Sequence, residues 1–169
     1  MTFMTASSRR GFLAISGLAM AGTALTLAGC STTNTALAPT TGAQDDTVAA
    51  LPMVNKLRAS KGLSALTLDA PARTAASIQA VRMAKAEEMQ HLIGIGDDFG
   101  KRMKRSDVKL PAAENIASGQ HSVEAAVQAW INSPKHLENM LGNYRGLGVA
   151  MATGADGRSY WSMVLSSGS

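Results

Sequence analysis

"GLGVAMATGADGRSYWSMVLS", residues Gly146 to Ser166, is the stretch that decides the fold. Asp156-Gly157 near its centre is a strong turn signal between two strand-like arms. Both arms are apolar at nearly every position, including Val149, Met151, Tyr160, Trp161, Met163 and Leu165. A strand with one wet face alternates polar and apolar residues, whereas a strand covered on both faces does not. The hairpin therefore needs helices above and below it. The expected fold class is α+β, a three-layer α-β-α sandwich around a mainly antiparallel sheet.

The residues upstream supply those helices. In "NSPKHLENM" (132–140), Ser133 reads as an N-cap and Pro134 as the first helical residue, because proline forces its predecessor out of helical geometry. His136 then falls at the third helical position, where the helix dipole disfavours imidazolium. Ser122 can cap a helix over Val123 to Ile131, with Glu124 in its first turn. "AAENIAS" (112–118) reads as a short strand with Glu114 and Ile116 on one face and Asn115 on the other. Gly94, Gly96 and Gly100 interrupt the segment before it, leaving room for a short helix over Asp98 to Arg105. "KRMKR" (101–105) reads as a solvated helix face rather than a lipid-binding patch, since one turn is charged and acidic residues flank it. A long helix from Ala70 to Gln90, capped by Asp69, carries a small face of Ala72, Ala76, Ala80 and Met83, with His91 at or just past its end. "LSALTLD" (63–69) is a short extended link expected to bury Leu63, Leu66 and Leu68. The first helix spans Thr47 to Ser60, ended by Gly62. Leu51, Val54 and Leu57 share its inner face, with Asn55 and Arg58 flanking, and Pro52 argues for a regular start only near Ala50 or Leu51.

The N-terminus is an address label. Ser8-Arg9-Arg10-Gly11-Phe12-Leu13 resembles the twin-arginine export signal, and Leu27-Ala28-Gly29-Cys30 resembles a bacterial lipobox. The apolar run between them is rich in Gly, Ala and Thr, weak for a membrane-spanning helix, and no basic stop-transfer cluster follows. Residues 1–29 are expected to be a signal peptide, and 30–46 a lipidated Cys30 with a flexible Thr-, Ala- and Pro-rich tether. A domain would then fill 47–169. Cys30 is the only cysteine, so no intrachain disulfide forms. Lipidation would attach the chain to a membrane on its periplasmic side, and Ser31 resembles the outer-membrane sorting pattern. Without Arg9 and Arg10 the chain holds 14 basic against 12 acidic residues, a balance of +2 that gives no reason to expect nucleic acid as a partner.

Taken in order, "VNKLRASKGLSALTLD", the Ala-rich helix ending in His91, "AENIASG", "AVQAWINSPKHLENML" and "GLGVAMA" with "YWSMVLS" resemble the CAP superfamily. This is the domain of cysteine-rich secretory proteins, insect venom allergens and plant pathogenesis-related proteins, here in its bacterial branch. The resemblance spans about Thr47 to Leu165. It implies an α-β-α sandwich whose cleft holds two histidines and two acids. The first histidine corresponds to His91, the first acid to Glu114 and the second histidine to His136. The second acid is replaced by Ser133, which weakens any two-acid mechanism. The family's cysteine-rich appendage and disulfides are absent.

His91, Glu114 and His136 are thus the candidate site, and two neutral imidazoles with a carboxylate can hold Zn²⁺. Structural alternatives stay open: His136 hydrogen-bonded to Glu114, His91 against the last carbonyls of its helix, and Glu114 as a buried structural acid. His121 in its Gly-Gln-His-Ser loop reads as solvated. Ser133 beside His136 is expected to use its oxygen for capping, which speaks against a nucleophile. The leading expectation is a non-catalytic module that binds a protein, lipid or peptide at the cell envelope and requires no cofactor. The alternative is a metal-assisted, peptidase-like hydrolase.

Overall fold

The computed structural model of the chain describes residues 42–168. The expectations for residues 1–29 and for Cys30 fall outside the described residues. The elements run β1 (Gln44–Asp45), α1 (Thr47–Ser60), β2 (Thr67–Leu68), α2 (Ala70–Ala86), α3 (Phe99–Arg105), β3 (Ala112–Ser118), α4 (Val123–Ile131), α5 (Pro134–Met140), β4 (Gly146–Thr153) and β5 (Ser159–Ser166). The sheet order is β1-β4-β5-β3, with β2 pairing parallel to β4 and all other pairs antiparallel. The hairpin of β4 and β5 lies at its centre, in a register that sets Val149 opposite Met163 and Met151 opposite Trp161.

Alternate residues of the hairpin feed two separate cores. Leu147, Val149, Trp161, Met163 and Leu165 meet Val54 of α1, Val127 and Trp130 of α4 and Met140 of α5. Ala150, Ala152, Tyr160 and Val164 meet Ala72, Ala76, Ala80 and Met83 of α2 and Met103 of α3. Helices therefore cover both faces, and the α-β-α sandwich stands. Gly148 is what lets α2 settle on the sheet. A Cβ there would collide with the backbone of Ala72 and Arg73, so only glycine permits this approach.

Several local expectations are corrected. The sheet already includes Gln44 and Asp45, ahead of the boundary placed at Thr47. Helix α1 starts at Thr47 in spite of Pro52, because its start is tied down from outside. The Asp45 carboxylate accepts from the Thr47 N–H (2.9 Å) and hydroxyl (2.6 Å), and that hydroxyl in turn accepts from Val149 N (2.9 Å). Arg58 does not flank the inner face but is buried in it, donating to the carbonyls of Ser64, Met140 and Gly142 at 2.9 Å each. Leu68 is exposed rather than buried, in a two-residue strand. Asp69 does not cap α2 with its side chain, which turns inward to accept from the Ser166 hydroxyl. Helix α2 stops at Ala86, four residues early, where Glu87 takes left-handed geometry (φ 55°) and Glu88 N bonds back to Met83 O. Ser122 caps α4 as expected, donated to by Ala125 N at 3.2 Å. Ser133 holds the cap position of α5, but its side chain makes no capping hydrogen bond.

Candidate functional site

The site grows from one strand. Side chains alternate along β3, so Glu114 faces the α2–α3 layer and Asn115 the α4–α5 layer. One dipeptide thus reaches both sides of the sheet. Asn115 Nδ2 donates to the His136 carbonyl (3.0 Å), and Asn139 Nδ2 donates to Asn115 Oδ1 (2.8 Å). These two bonds fix α5, and His136 with it, to β3.

On the other side, the early end of α2 leaves His91 in a loop, and polar side chains hold that loop in place. Gln79 Nε2 donates to the carbonyls of Gln90 (2.8 Å) and His91 (3.2 Å). Arg82 Nη2 donates to Ile93 O (2.8 Å) and to Asp97 Oδ2 (2.6 Å). Asp97 also accepts from Ile93 N at 2.8 Å. Burial works against the Asp97 carboxylate, but the hydrogen bonds from Arg82 and Ile93 and the nearby arginine charges outweigh it and hold its pKa below the usual value.

Glu114 is the centre of this arrangement. Its Oε2 accepts from Arg102 Nη1 (2.9 Å), and its Oε1 from Arg102 Nη2 (3.0 Å). Oε1 also stands 2.9 Å from His91 Nδ1. The Glu114 side chain is 2% exposed and that of Arg102 is 9%. A carboxylate in a bidentate arginine pair can only accept, so the His91 proton belongs on Nδ1. Nε2 of His91 is then the ring nitrogen that Glu114 does not engage, on a half-exposed ring. Arg102 Nη2 further donates to the His91 carbonyl (3.0 Å), so one guanidinium positions both partners, and it lies over the Phe99 ring, 5.5 Å from its centroid.

His136 is half-buried. Burial, then repulsion from His91 when that ring is protonated, push its pKa below the ordinary histidine value. The structure brings His91 and Glu114 into contact and sets His136 near enough to feel His91. It does not give His136 the hydrogen bond to Glu114, a place His91 takes, and His91 does not cap α2. Both oxygens of Glu114 are already engaged, by a cation and an N–H, so the carboxylate would have to give up one of these partners to bind a metal ion alongside the histidines. His121 is exposed.

The sequence matches the cysteine-rich secretory protein family, CAP, over residues 51–165. The chain belongs to the CAP family. Its fold is similar to an outer surface protein of Borrelia burgdorferi (TM-score 0.62, 20% identity, 70% of this chain and 90% of that one). It is also similar to an SCP-domain extracellular protein of Bacillus anthracis (0.63, 25%, 72% and 40%). A third likeness is to a cysteine-rich secretory protein of Staphylococcus aureus (0.57, 18%, 72% and 38%). The CAP chain thus spans about two fifths of each of the last two. Curated protein sequences give no match.

The site residue that the sequence reading missed in this CAP domain is Arg102. It sat inside a run taken for a solvated face, whereas Lys101, Lys104 and Arg105 are exposed and Arg102 and Met103 are buried. The available signal was helical spacing: Phe99, Arg102 and Met103 share a face, and Glu114 was the inward acid in need of a cation.

Proposed function

We infer that this CAP domain is an exported, lipid-anchored module that binds a partner at the cell envelope through the groove of His91, Glu114 and His136, and carries out no reaction of its own. The observation that supports this reading is the engagement of Glu114. A general acid must release a proton and a general base must take one, but this carboxylate neutralises a buried guanidinium. Freeing it would leave that cation unpaired, at a cost of about 3–5 kcal/mol. Ser133 stands where the family resemblance puts the second acid, so that position supplies no carboxylate. What this site offers a partner is the His91 ring nitrogen that Glu114 leaves free and the half-buried ring of His136. These favour a protein, peptide or lipid partner that brings hydrogen-bond donors. Export and anchoring rest on the twin-arginine-like and lipobox-like segments ending at Cys30. Two structural neighbours, an outer surface protein and an extracellular protein, support the export part of this reading. Ser31 favours the periplasmic face of the outer membrane.

The competing reading is a metal-assisted hydrolase of envelope peptides, favoured by the electrostatic influence of His91 on His136. Zinc titration and peptide turnover, measured on the chain and on its His91→Ala and His136→Ala variants, separate the two. Binding without chemistry predicts no sub-micromolar zinc, no turnover, and folded variants that have lost the partner. One tightly bound zinc, with cleavage abolished in both variants, would establish the hydrolase instead. Cys30→Ala should release the protein from membranes, and retention of a processed product would refute the anchor.

A further inference from the structure

The loop between α2 and α3 carries apolar side chains that the fold leaves outside. Among the described residues seven large hydrophobics are exposed, and three of them fall on this loop: Met89 (48% exposed), Leu92 (51%) and Ile95 (109%). Single exposed apolar residues are ordinary, but several on one short segment mark a contact surface. The loop is not slack at its base. Gln79 holds the Gln90 and His91 carbonyls, and Arg82 and Asp97 hold the backbone of Ile93. Around Ile95 the chain turns through Gly94 (φ 88°) and Gly96 (φ 75°), where a Cβ would meet nothing within 4 Å. A tied-down base with outward apolar side chains presents them to something beyond the domain.

Cations stand beside this tip. Ile95 lines one cavity together with Lys101 and Arg105 of α3, and Arg105 lines a second with Ile78 of α2, another of the exposed hydrophobics. The acids in these walls are engaged: Asp97 pairs with Arg82 at 2.6 Å, and Asp98 accepts from Lys101 N at 2.7 Å. Glu87 and Glu88 stand at the other end of the stretch, next to α2. By itself the 101–105 run is a solvated face, but beside Ile95 it gains the apolar element that a bilayer contact needs. The three apolar residues expose roughly 400 Å² together, whereas a standard protein interface takes about 800 Å² per partner. A bilayer needs no matching surface, so a small tip suffices there.

The start of the described chain points the same way. Asp45 is ion-paired to Arg73 of α2 at 2.6 Å, and a Cβ on Gly42 would stand 3.9 Å from Val81 Cγ2. From Asp45 back to Gly42 the chain thus runs toward the C-terminal end of α2, where the loop begins. The 11 residues between Cys30 and Gly42 can span about 40 Å at most, close to the diameter of a domain of this size. We propose that the 89–95 loop dips into the surface of the anchoring bilayer. Met89, Leu92 and Ile95 lie below the headgroups, and Lys101 and Arg105 face anionic phosphates. This contact rests on the anchoring through Cys30 proposed above. The anchor keeps the domain at high effective concentration near the bilayer, so a weak contact is enough to orient it. His91 belongs to the same stretch, and its groove would open beside the headgroups.

The test reconstitutes the full chain with vesicles of equal parts phosphatidylcholine and phosphatidylglycerol, brominated along their acyl chains. Flotation, and its loss in Cys30→Ala, reports the anchor, and quenching of tryptophan fluorescence by bromine reports the loop. Leu92→Trp should be quenched about twofold or more beyond the unsubstituted chain, whose two tryptophans are buried. Val48→Trp, exposed on α1 across the sheet, should show no such excess. Lys101→Glu combined with Arg105→Glu, both exposed, should remove about half of the Leu92→Trp quenching or more. A chain that does not float overturns the anchor and this contact together. A floating chain with Leu92→Trp no more quenched than Val48→Trp overturns the contact alone and leaves the loop to a protein partner. Unchanged quenching in the charge-reversed variant overturns the choice of an anionic surface.

Discussion

The two faces of the sheet are built differently. The face toward α1, α4 and α5 is packed with large side chains: Trp130, Trp161, Met140, Met163, Leu147 and Leu165. The face toward α2 is lined by alanines, with Gly148 allowing backbone to meet backbone. Large side chains bring apolar area, and the polar groups buried on that side, Arg58 and Asn115, are held by hydrogen bonds. Small ones bring little area, but they pull a helix down onto the sheet and leave its ends to be tied by polar groups. That is where Gln79, Arg82, Asp97, Arg102 and Glu114 gather, and where His91 is held. One face holds the fold together and the other builds the site, and β3 joins them through Glu114 and Asn115.

This division can be broken from either side. The largest effect should come from the aromatic face. Trp130 is fully buried and donates to the Ile116 carbonyl at 3.1 Å. Trp130→Ala should cost about 3–5 kcal/mol in chemical denaturation. Arg102→Met on the other face should cost about 3 kcal/mol or more, because it strands the buried Glu114. Its signature differs from that of Trp130→Ala: adding Glu114→Leu to Arg102→Met should restore most of the loss, as replacing both partners of a buried pair commonly does. No such rescue would mean that the pair contributes packing rather than charge. Gly148→Ala should cost about 1–3 kcal/mol by forcing α2 off the sheet, and amide exchange should accelerate in α2 ahead of α4. Equal acceleration in both helices would erase the distinction between the faces.

How much of this was legible in the sequence follows the same line. The aromatic face could be read because large apolar residues recur with strand and helix periods: Val149, Trp161, Met163 and Leu165 announced a doubly covered hairpin. The small face of α2 was readable from Ala72, Ala76, Ala80 and Met83. The polar network was not. Arg58 and Arg102 look like surface residues in sequence, and only tertiary contacts supply the carbonyls and the carboxylate that let them be buried. The end of α2 was placed late for a related reason. Nothing in "AKAEEMQH" marks a stop, which is set by Glu87 in left-handed geometry and by Gln79 reaching across to the loop. Glu114 and Asn115 were placed on opposite faces correctly, because alternation in a strand needs no knowledge of the partners.

The smallest expected effect is a pH dependence at His136, the histidine on the well-packed side. Its pKa is lowered in the fold by burial and by His91, so the unfolded chain takes up the proton first. Stability from this residue is complete above the unfolded histidine pKa, about 6.5, and falls as the pH drops below it. Replacing His136 by Gln should flatten the acid side of the stability curve below about pH 6.5. A curve that keeps its slope would place the acid-sensitive group elsewhere.

The claim on which the binding reading depends is that Glu114 is a committed acceptor. The most direct measurement is the tautomer of His91, read from its ring nitrogens by long-range ¹H–¹⁵N NMR near pH 7.5. The arrangement of Arg102, Glu114 and His91 predicts a proton on Nδ1 and a bare Nε2. A proton on Nε2 with Nδ1 bare would require Glu114 to carry a proton of its own, and would make it the acid that a hydrolase needs.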